Sequence, residues 1–473
     1  MTRTSITPAE FQVPLKLDDL IVSGEPDEER IDMDVLFVGG GPAGLAGALM
    51  LAKLIKEDNE SGEGIGEVSI GVLEKAGALG EHSLSGAVVN PRPFRELFPE
   101  LKDEDLPFGN PVTGESVYVM RKNGAFKIPT PPTMKNHGNF VASLGEITRW
   151  LGEKAEEAGV DVFAGFPAGV LRVEGEKVIG VKTVATGLER DGSPGSNYLP
   201  PTDILAKVTA LAEGSRGLLA QAYMEWQRIK ADNPQVYALG VKELWESKKP
   251  LDRVIHSMGW PLPNNAFGGS FLYPLESNVL ALGLVVGMDY RDSSLDVHEL
   301  LQDLKQHKLF KPYFEDGEMI EWGAKTIPEG GYYSVPSRRS GHGVVMLGDS
   351  IGLVDVPSLK GVHYAMQSGI YAARAIFTAL KSDDPSAKVL HKYDRLLDDS
   401  YIVKDMHKTR NMRLAFKTGF YSGSIKAGLM AMTGGRFPGK KIPMERKGHS
   451  FVIKAEFVRD LSEAEPVFSR RVQ

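Results

Sequence analysis

Apolar residues in the first part of the chain fall in short runs rather than in helical stripes. Met33-Asp34-Val35-Leu36-Phe37-Val38 has the length and composition of a buried parallel strand. It ends in Gly39-Gly40-Gly41-Pro42-Ala43-Gly44 and passes into LAGALMLAKLIK, a stretch of helical composition. There Gly44, Ala48 and Ala52 recur every four residues and predict a helix face that lies close on the sheet. After the polar loop EDNESGEGIGE, a second apolar run from Val68 to Leu73 closes at Glu74. Strand, turn, helix, strand is the order of a βαβ unit.

Farther along, Ile147, Trp150, Leu151 and Ala155 fall at helical spacing, and Gly159 stops that helix before the strand-like Val160–Phe163. Gly175, Gly180 and the Asp191-Gly192 turn punctuate β-prone runs and predict hairpins. The stretch 233–334, rich in glycine, proline and aromatics, reads as a second, mostly β lobe with strands near 253–260 and 279–288. Beyond residue 360 the pattern is helical, and the acidic opening (GEPDEER at 24–30) reads as a loosely held tail.

Composition narrows the function classes. Fifty-two glycines in 473 residues, about 11% against a usual ~7%, suit tight turns and close backbone approach to a ligand. A net charge of −7 argues against a nucleic-acid footprint over the whole chain. The sequence has no cysteine, so it offers no disulfide, no thiol nucleophile and no ligand for a Cys-bound zinc or iron–sulfur cluster. No HExxH or comparable metal spacing occurs. The opening lacks the features of a signal or transit peptide and no apolar run is long enough to span a bilayer, so a soluble intracellular chain is expected.

Three segments carry candidate chemistry. Gly39-x-Gly41-x-x-Gly44 lies between a predicted strand and a predicted helix, the context that makes this spacing a dinucleotide signature. The first glycine allows the turn, the second lets amides reach a pyrophosphate and the third lets helix and strand pack. Glu74 ends the second strand, where a carboxylate can accept hydrogen bonds from a ribose diol. Only one such loop is present, which favours a resident FAD over a separate NAD(P)H domain.

The second segment is VVMLGDSIGLVDVPSLKGVHYAMQSG, residues 344–369. Gly348-Asp349 can set a carboxylate against a ribityl hydroxyl, and a helix starting near Gly361-Val362-His363 can aim its amides at the pyrimidine edge of a flavin. Gly348-Asp349-Ser350-Ile351-Gly352 also fits a hydrolase nucleophile elbow, but Val354-Asp355-Val356-Pro357 follows where that elbow needs a helix. His363 reads more readily as a helix-start histidine satisfied by backbone than as a proton donor. The third segment is electrostatic: from Met406 to Met444 there are eight Lys/Arg and no Asp/Glu. Phe416, Phe420, Ala427 and Met430 fall roughly on one helical side there. A basic, apolar helix too short to span suits the surface of an anionic bilayer, against the alternative of a core helix with a basic edge.

The stretches VGGGPAGLAGALML, LEKAGALGEHSLSGAVVNPRPFRELFPE, FGGSFLYPLESNVLALGLVVGMDY and DVPSLKGVHYAMQSGIYAARAI together closely resemble the electron-transfer flavoprotein:quinone oxidoreductases, from about residue 32 to about 450. That resemblance implies an α/β fold: a glutathione-reductase-like, Rossmann-type FAD-binding domain with an inserted, mostly β quinone domain and a helical C-terminal region. It implies a tail at 1–31 and an FAD-binding domain from 32–115, 138–232 and 335–400. The quinone domain takes 116–137 and 233–334, and the helical region 401–473, with a membrane-docking helix near 414–434. Gly39, Gly41, Gly44 and Glu74 would then serve the ADP half of FAD, with Pro42, Ala43 and Lys75 also binding the cofactor. Ser85 and Gly86 would lie near the isoalloxazine, Gly348, Asp349, Gly361 and Val362 at the ribityl and flavin end, and Gly268 and Gly269 against the quinone ring.

The implied activity is electron passage from reduced electron-transfer flavoprotein to ubiquinone or menaquinone. The implied location is peripheral, on the cytoplasmic face of the cell membrane or the equivalent inner-membrane face. Two departures stand out. The family's C-terminal ferredoxin-like domain, with four cysteines for a [4Fe–4S] cluster, has no counterpart in these residues. Electrons would reach FAD directly from the donor or through a cluster on a separate ferredoxin-like subunit. The loop FKIPTPPTMKNH is also less apolar than its family counterpart. An isoprenoid-lipid reductase-like or aromatic hydroxylase-like flavoenzyme, and an FAD-holding subunit of a larger assembly, remain as alternatives.

Overall fold

The computed structural model of the chain describes residues 3–6, 14–62, 64–83, 85–276, 278–290, 292, 294–442, 444 and 451–454. The apolar run at 33–38 forms the strand Ile31–Val38, central in a nine-stranded sheet. It pairs in parallel with Ile70–Glu74 on one side and Asp203–Leu211 on the other. Val35, Leu36 and Phe37 are fully buried, as expected for a strand covered on both faces. The hairpin Ala168–Glu174/Lys177–Thr183 and the strand Asp161–Ala164 extend the sheet.

The helix Pro42–Glu60 follows the glycine turn and packs on the helix Val362–Lys381. The helix makes two close approaches, one at Gly44 of the expected Gly44, Ala48 and Ala52 face and one at Gly47, which that face did not include. At Gly44 the helix meets the backbone of its own turn. At Gly47 it meets Phe37 and the other helix, where a Cβ would come within 3.2 Å of the Gly369 carbonyl oxygen.

A seven-stranded sheet runs in the order Glu318–Pro328, Tyr237–Glu246, Val279–Gly287, Gly268–Pro274, Val254–Gly259, Glu115–Arg121, Gly124–Ile128. The helix Val297–Gln306 covers it through Val297, Leu301 and Leu304, with Phe310 just beyond the helix.

Two expectations need correction. Residues 16–31 are not a loose tail: Ile21–Val22 pairs with Leu171 and Arg172, the Arg172 guanidinium donates to the Gly24 carbonyl at 2.8 Å, and Lys182 holds Asp27 at 2.6 Å. The acidic composition hid this docking because its partners are cations distant in sequence. The docking segment near 414–434 is also not one helix. Met412–Ala415 and a 3-10 turn at Phe416–Thr418 end at Gly419, whose φ of +91° breaks the run before Phe420–Met432. Phe416 and Phe420 therefore belong to different segments. The predicted helical region past 444 lies outside the described residues, apart from the strand Phe451–Lys454.

Candidate functional site

A cavity of about 600 Å³ lies between the two sheets, within the roughly 300–1,000 Å³ usual for ligand sites. Its wall includes Gly39, Gly41, Pro42 and Ala43 at one end, with Glu74 and Lys75 beside them. Gly86, Asp349, Gly361 and Val362 also line it. Five predicted residues sit behind or beside this wall. Gly44 and Gly348 pack beneath it, and Ser85 turns its hydroxyl to Ser143 at 2.9 Å. Gly268 and Gly269 form the start of their strand outside the lining, one residue from Phe267, whose ring meets that of Phe416 at 5.1 Å.

The glycine turn is built by exclusion. Gly39 has φ +118° and a Cβ there would overlap the Ala212 carbonyl; a Cβ on Gly44 would overlap that of Gly39. Gly41 is different: its φ is an ordinary −87° and a Cβ on it would meet no protein atom within 4 Å. The space in front of Gly41 thus belongs to the cavity. Glu74 accepts from the amides of Gly40 at 3.1 Å and Ala76 at 2.8 Å, which fixes its carboxylate at the turn. Pro42 supplies a first helical residue with no amide to satisfy, and the free amides of that helix start carry partial positive charge.

At the other end Asp349 follows a strand–turn junction, and the helix Val362–Lys381 begins beside it with Gly361 as its cap. Burial pushes the Asp349 carboxyl up to about 6, partly opposed by Lys325. The folded chain therefore keeps a proton that the unfolded chain releases. The cost of ionising Asp349 is absent near pH 4, grows as pH rises and is complete above about pH 6. Asp349→Asn is expected to raise the melting temperature of FAD-free protein by several degrees at about pH 8 and by little near pH 4, as read by calorimetry at both. Equal gains at the two pH values would sink this assignment.

Ser350 donates across to the Gly214 carbonyl at 3.4 Å within a 3-10 turn, so no nucleophile elbow forms. His363 is not satisfied by backbone: its Nδ1 is buried with no partner among the described residues, and desolvation with nearby Lys360 pushes its pKa down to about 3.

The family model described as ETF-QO, ubiquinone-binding matches residues 237–327. Over 409 residues the chain is 39% identical to an Arabidopsis thaliana electron transfer flavoprotein-ubiquinone oxidoreductase, covering 85% of this chain and 63% of that protein. The Dictyostelium discoideum protein of the same name is 37% identical, covering 85% and 68%; the human one is 37% identical, covering 84% and 66%. This chain belongs to that family. It spans about two thirds of the length of these relatives. Among solved structures, a geranylgeranyl bacteriochlorophyll reductase-like protein from Thermoplasma acidophilum matches with TM-score 0.66 at 19% identity, covering 92% of this chain and 97% of that one. A flavin-dependent brominase matches with TM-score 0.60 at 17% identity, covering 85% and 94%. At such identities these neighbours speak for the fold, a mixed α/β architecture with a helical C-terminal region.

Within the segment that matches the family model, Gly240, Lys242, Phe271, Tyr273, Val285 and Thr326 line the cavity. Sequence reasoning named none of these six. Tyr273 donates to or accepts from His256 Nε2 at 2.8 Å, and its ring stacks on Phe271 at 4.5 Å. Behind them Arg413, on the segment before the helix Phe420–Met432, bridges Glu329 at 3.2 Å and Asp289 at 2.5 Å. That buried bridge ties the basic C-terminal segment to the cavity wall, since Glu329 also lines it.

Proposed function

We propose that the chain holds FAD and passes electrons from reduced electron-transfer flavoprotein to a membrane quinone, ubiquinone or menaquinone. One observation carries this reading: the strands matching the ubiquinone-binding model and the Gly39–Gly44 turn are two walls of the same cavity. A dinucleotide fits the residues present. The glycine turn leaves open space before Gly41, helix amides point there, Glu74 stands at the end of the second strand and Asp349 lies at the far end. FAD, when bound, supplies a carrier that takes two electrons and gives them up singly or together. The chain binds it at Gly39, Gly41, Pro42, Ala43, Glu74 and Lys75, backed by Gly44. At the other end Ser85, Gly86, Gly348, Asp349, Gly361 and Val362 orient it. These residues belong to a glutathione-reductase-like domain formed by 32–115, 138–232 and 335–400.

Gly268 and Gly269 are the proposed quinone contacts. Their position next to the Phe267–Phe416 pair supports entry of an apolar quinone from the side of the docking segment. Among the described residues no helix is long and apolar enough to cross a membrane. The 13-residue helix Phe420–Met432, only about 20 Å long, presents Tyr421, Ile425 and Met432 outward, which supports docking on one leaflet. That leaflet is the cytoplasmic face of the cell membrane or its inner-membrane equivalent. With no cysteine in these 473 residues, any Cys-bound cluster on the electron path sits outside them, as on a ferredoxin-like subunit.

Purified protein is expected to show flavin absorbance, to bleach when reduced electron-transfer flavoprotein is added, and to recover its colour on addition of ubiquinone. Protein that binds no flavin, or that bleaches and does not recover with quinone, overturns the reading.

A further inference from the structure

We propose that Lys242 is a positioning residue at the flavin end of the cavity, where it holds the 85–86 turn and supplies the positive charge that favours the reduced cofactor. This inference rests on the function proposed above. Lys242 sits mid-strand in Tyr237–Glu246, directly opposite Gly283 on one side and Gly323 on the other. Across three neighbouring strands it is therefore the one side chain in its row. The next strand adds Phe271, paired with Gly283, whose missing Cβ makes room for the Phe271 ring. Lys242 Nζ lies 5.6 Å from that ring's centroid, a cation over an aromatic face.

From this row the lysine reaches off its own sheet. Its ammonium donates to the Gly86 carbonyl at 2.9 Å and to the Ser85 carbonyl. The turn it grips is pressed onto the same sheet, because a Cβ on Gly86 would overlap Ala281. Lys242 thus joins the two walls of the cavity at the place assigned to the isoalloxazine. Two neutral carbonyls need only N–H donors, which an amide side chain can give; a charge in the wall does something further. Desolvation pushes the Lys242 pKa down to about 7, against the pull of Glu321, so burial of this cation carries a cost that turn-holding alone does not require. Two electrons entering the cavity bring negative charge. When protonated, the ammonium in this low-dielectric wall stabilises that charge and leaves the oxidised state unaided, and the added negative charge in turn favours its protonation. The helix start at Gly361-Val362, in the same cavity wall, adds partial charge of the same sign.

The test compares Lys242→Gln, Lys242→Met and Lys242→Arg with the parent, all as FAD-loaded protein. The readout is the ratio of oxidised to reduced flavin when each is poised against a reference dye, together with FAD affinity. Lys242→Gln keeps N–H donors for the two carbonyls and removes the charge. It is expected to bind FAD and to shift the ratio toward oxidised by about tenfold, equivalent to ~30 mV for a two-electron couple. Lys242→Met is expected to shift it at least as far and to bind FAD more weakly. Lys242→Arg is expected to stay within about threefold of the parent. A Lys242→Gln protein that holds FAD with an unchanged ratio overturns the proposal. If Lys242→Gln holds no FAD, Lys242→Arg decides: a tenfold shift with charge retained overturns it. A parent protein that takes up no FAD overturns the functional reading instead.

Discussion

Gly41→Ala is expected to leave the folded chain as stable as its parent and to strip it of FAD. The backbone at Gly41 has φ −87° and ψ −179°, open to any residue, and the added methyl would meet no protein atom within 4 Å. Only something in the cavity can object to it. A pyrophosphate drawn up to the helix amides is the group that would stand there, and a methyl in its path forces it off the donors. A loss of at least about a hundredfold in FAD affinity is expected, or ~2.8 kcal/mol at 1.4 per decade. Apoprotein melting temperatures should agree within a degree or two. Gly44→Ala provides the contrast, because its methyl would overlap the Gly39 carbonyl, and the helix cannot back away freely where Gly369 packs against Ala43. That variant should lose stability with or without FAD. Titration of both apoproteins with FAD by flavin fluorescence, alongside calorimetry, checks the pair. Parent-like FAD affinity in Gly41→Ala would remove the ligand from this end of the cavity.

The sequence makes Gly41 legible because its signal is local. A strand, a turn and a helix start lie within about a dozen residues, so the spacing announces Gly41 even though the atoms that exclude a Cβ there are not the protein's, and those that exclude one at Gly39 belong to Ala212, far along the chain. Lys242 was illegible for the opposite reason. In Gly240-Val241-Lys242-Glu243-Leu244, both faces of the strand carry a charge, so alternation cannot say which face meets solvent. The answer is that neither is freely solvated. Glu243 is 2% exposed and bound by Lys305 at 2.7 Å, whereas Lys242 turns to the cavity. The seven-stranded sheet poses a similar problem, since Glu115–Arg121 lies parallel to Val254–Gly259, distant in sequence. Periodicity specifies strands and leaves such pairings open. The break at Gly419 belongs with these cases: Phe420 donates its amide to the Asn264 carbonyl at 3.0 Å, a contact that helical spacing within 414–434 could not announce.

That break shapes the second large effect, because it sets which residues face outward. With the helix starting at Phe420, residues 421, 425 and 432 fall on one side, and Tyr421, Ile425 and Met432 are 63%, 68% and 73% exposed. Phe437 follows at 57%. An ordinary surface helix hides its apolar stripe; this one shows it, among the cations Lys417, Lys426, Arg436, Lys440 and Lys441. Inserted into the acyl boundary, Ile425 and Met432 would each contribute about 1.5–3 kcal/mol of apolar burial. The double variant Ile425→Glu/Met432→Glu is therefore expected to lower partition onto anionic phospholipid vesicles by about a hundredfold or more, at 1.4 kcal/mol per decade. Both side chains are exposed in the free protein, so its melting temperature and FAD content should stay at the parent values. Electron delivery to a soluble, short-tailed quinone should persist, while delivery to long-tailed quinone in vesicles should fall with the partition. Vesicle co-sedimentation at low and at high salt separates the two forces: basic residues lose their hold as salt rises, whereas the apolar stripe does not. Parent-like sedimentation of the double variant at high salt would show that this stripe touches no lipid.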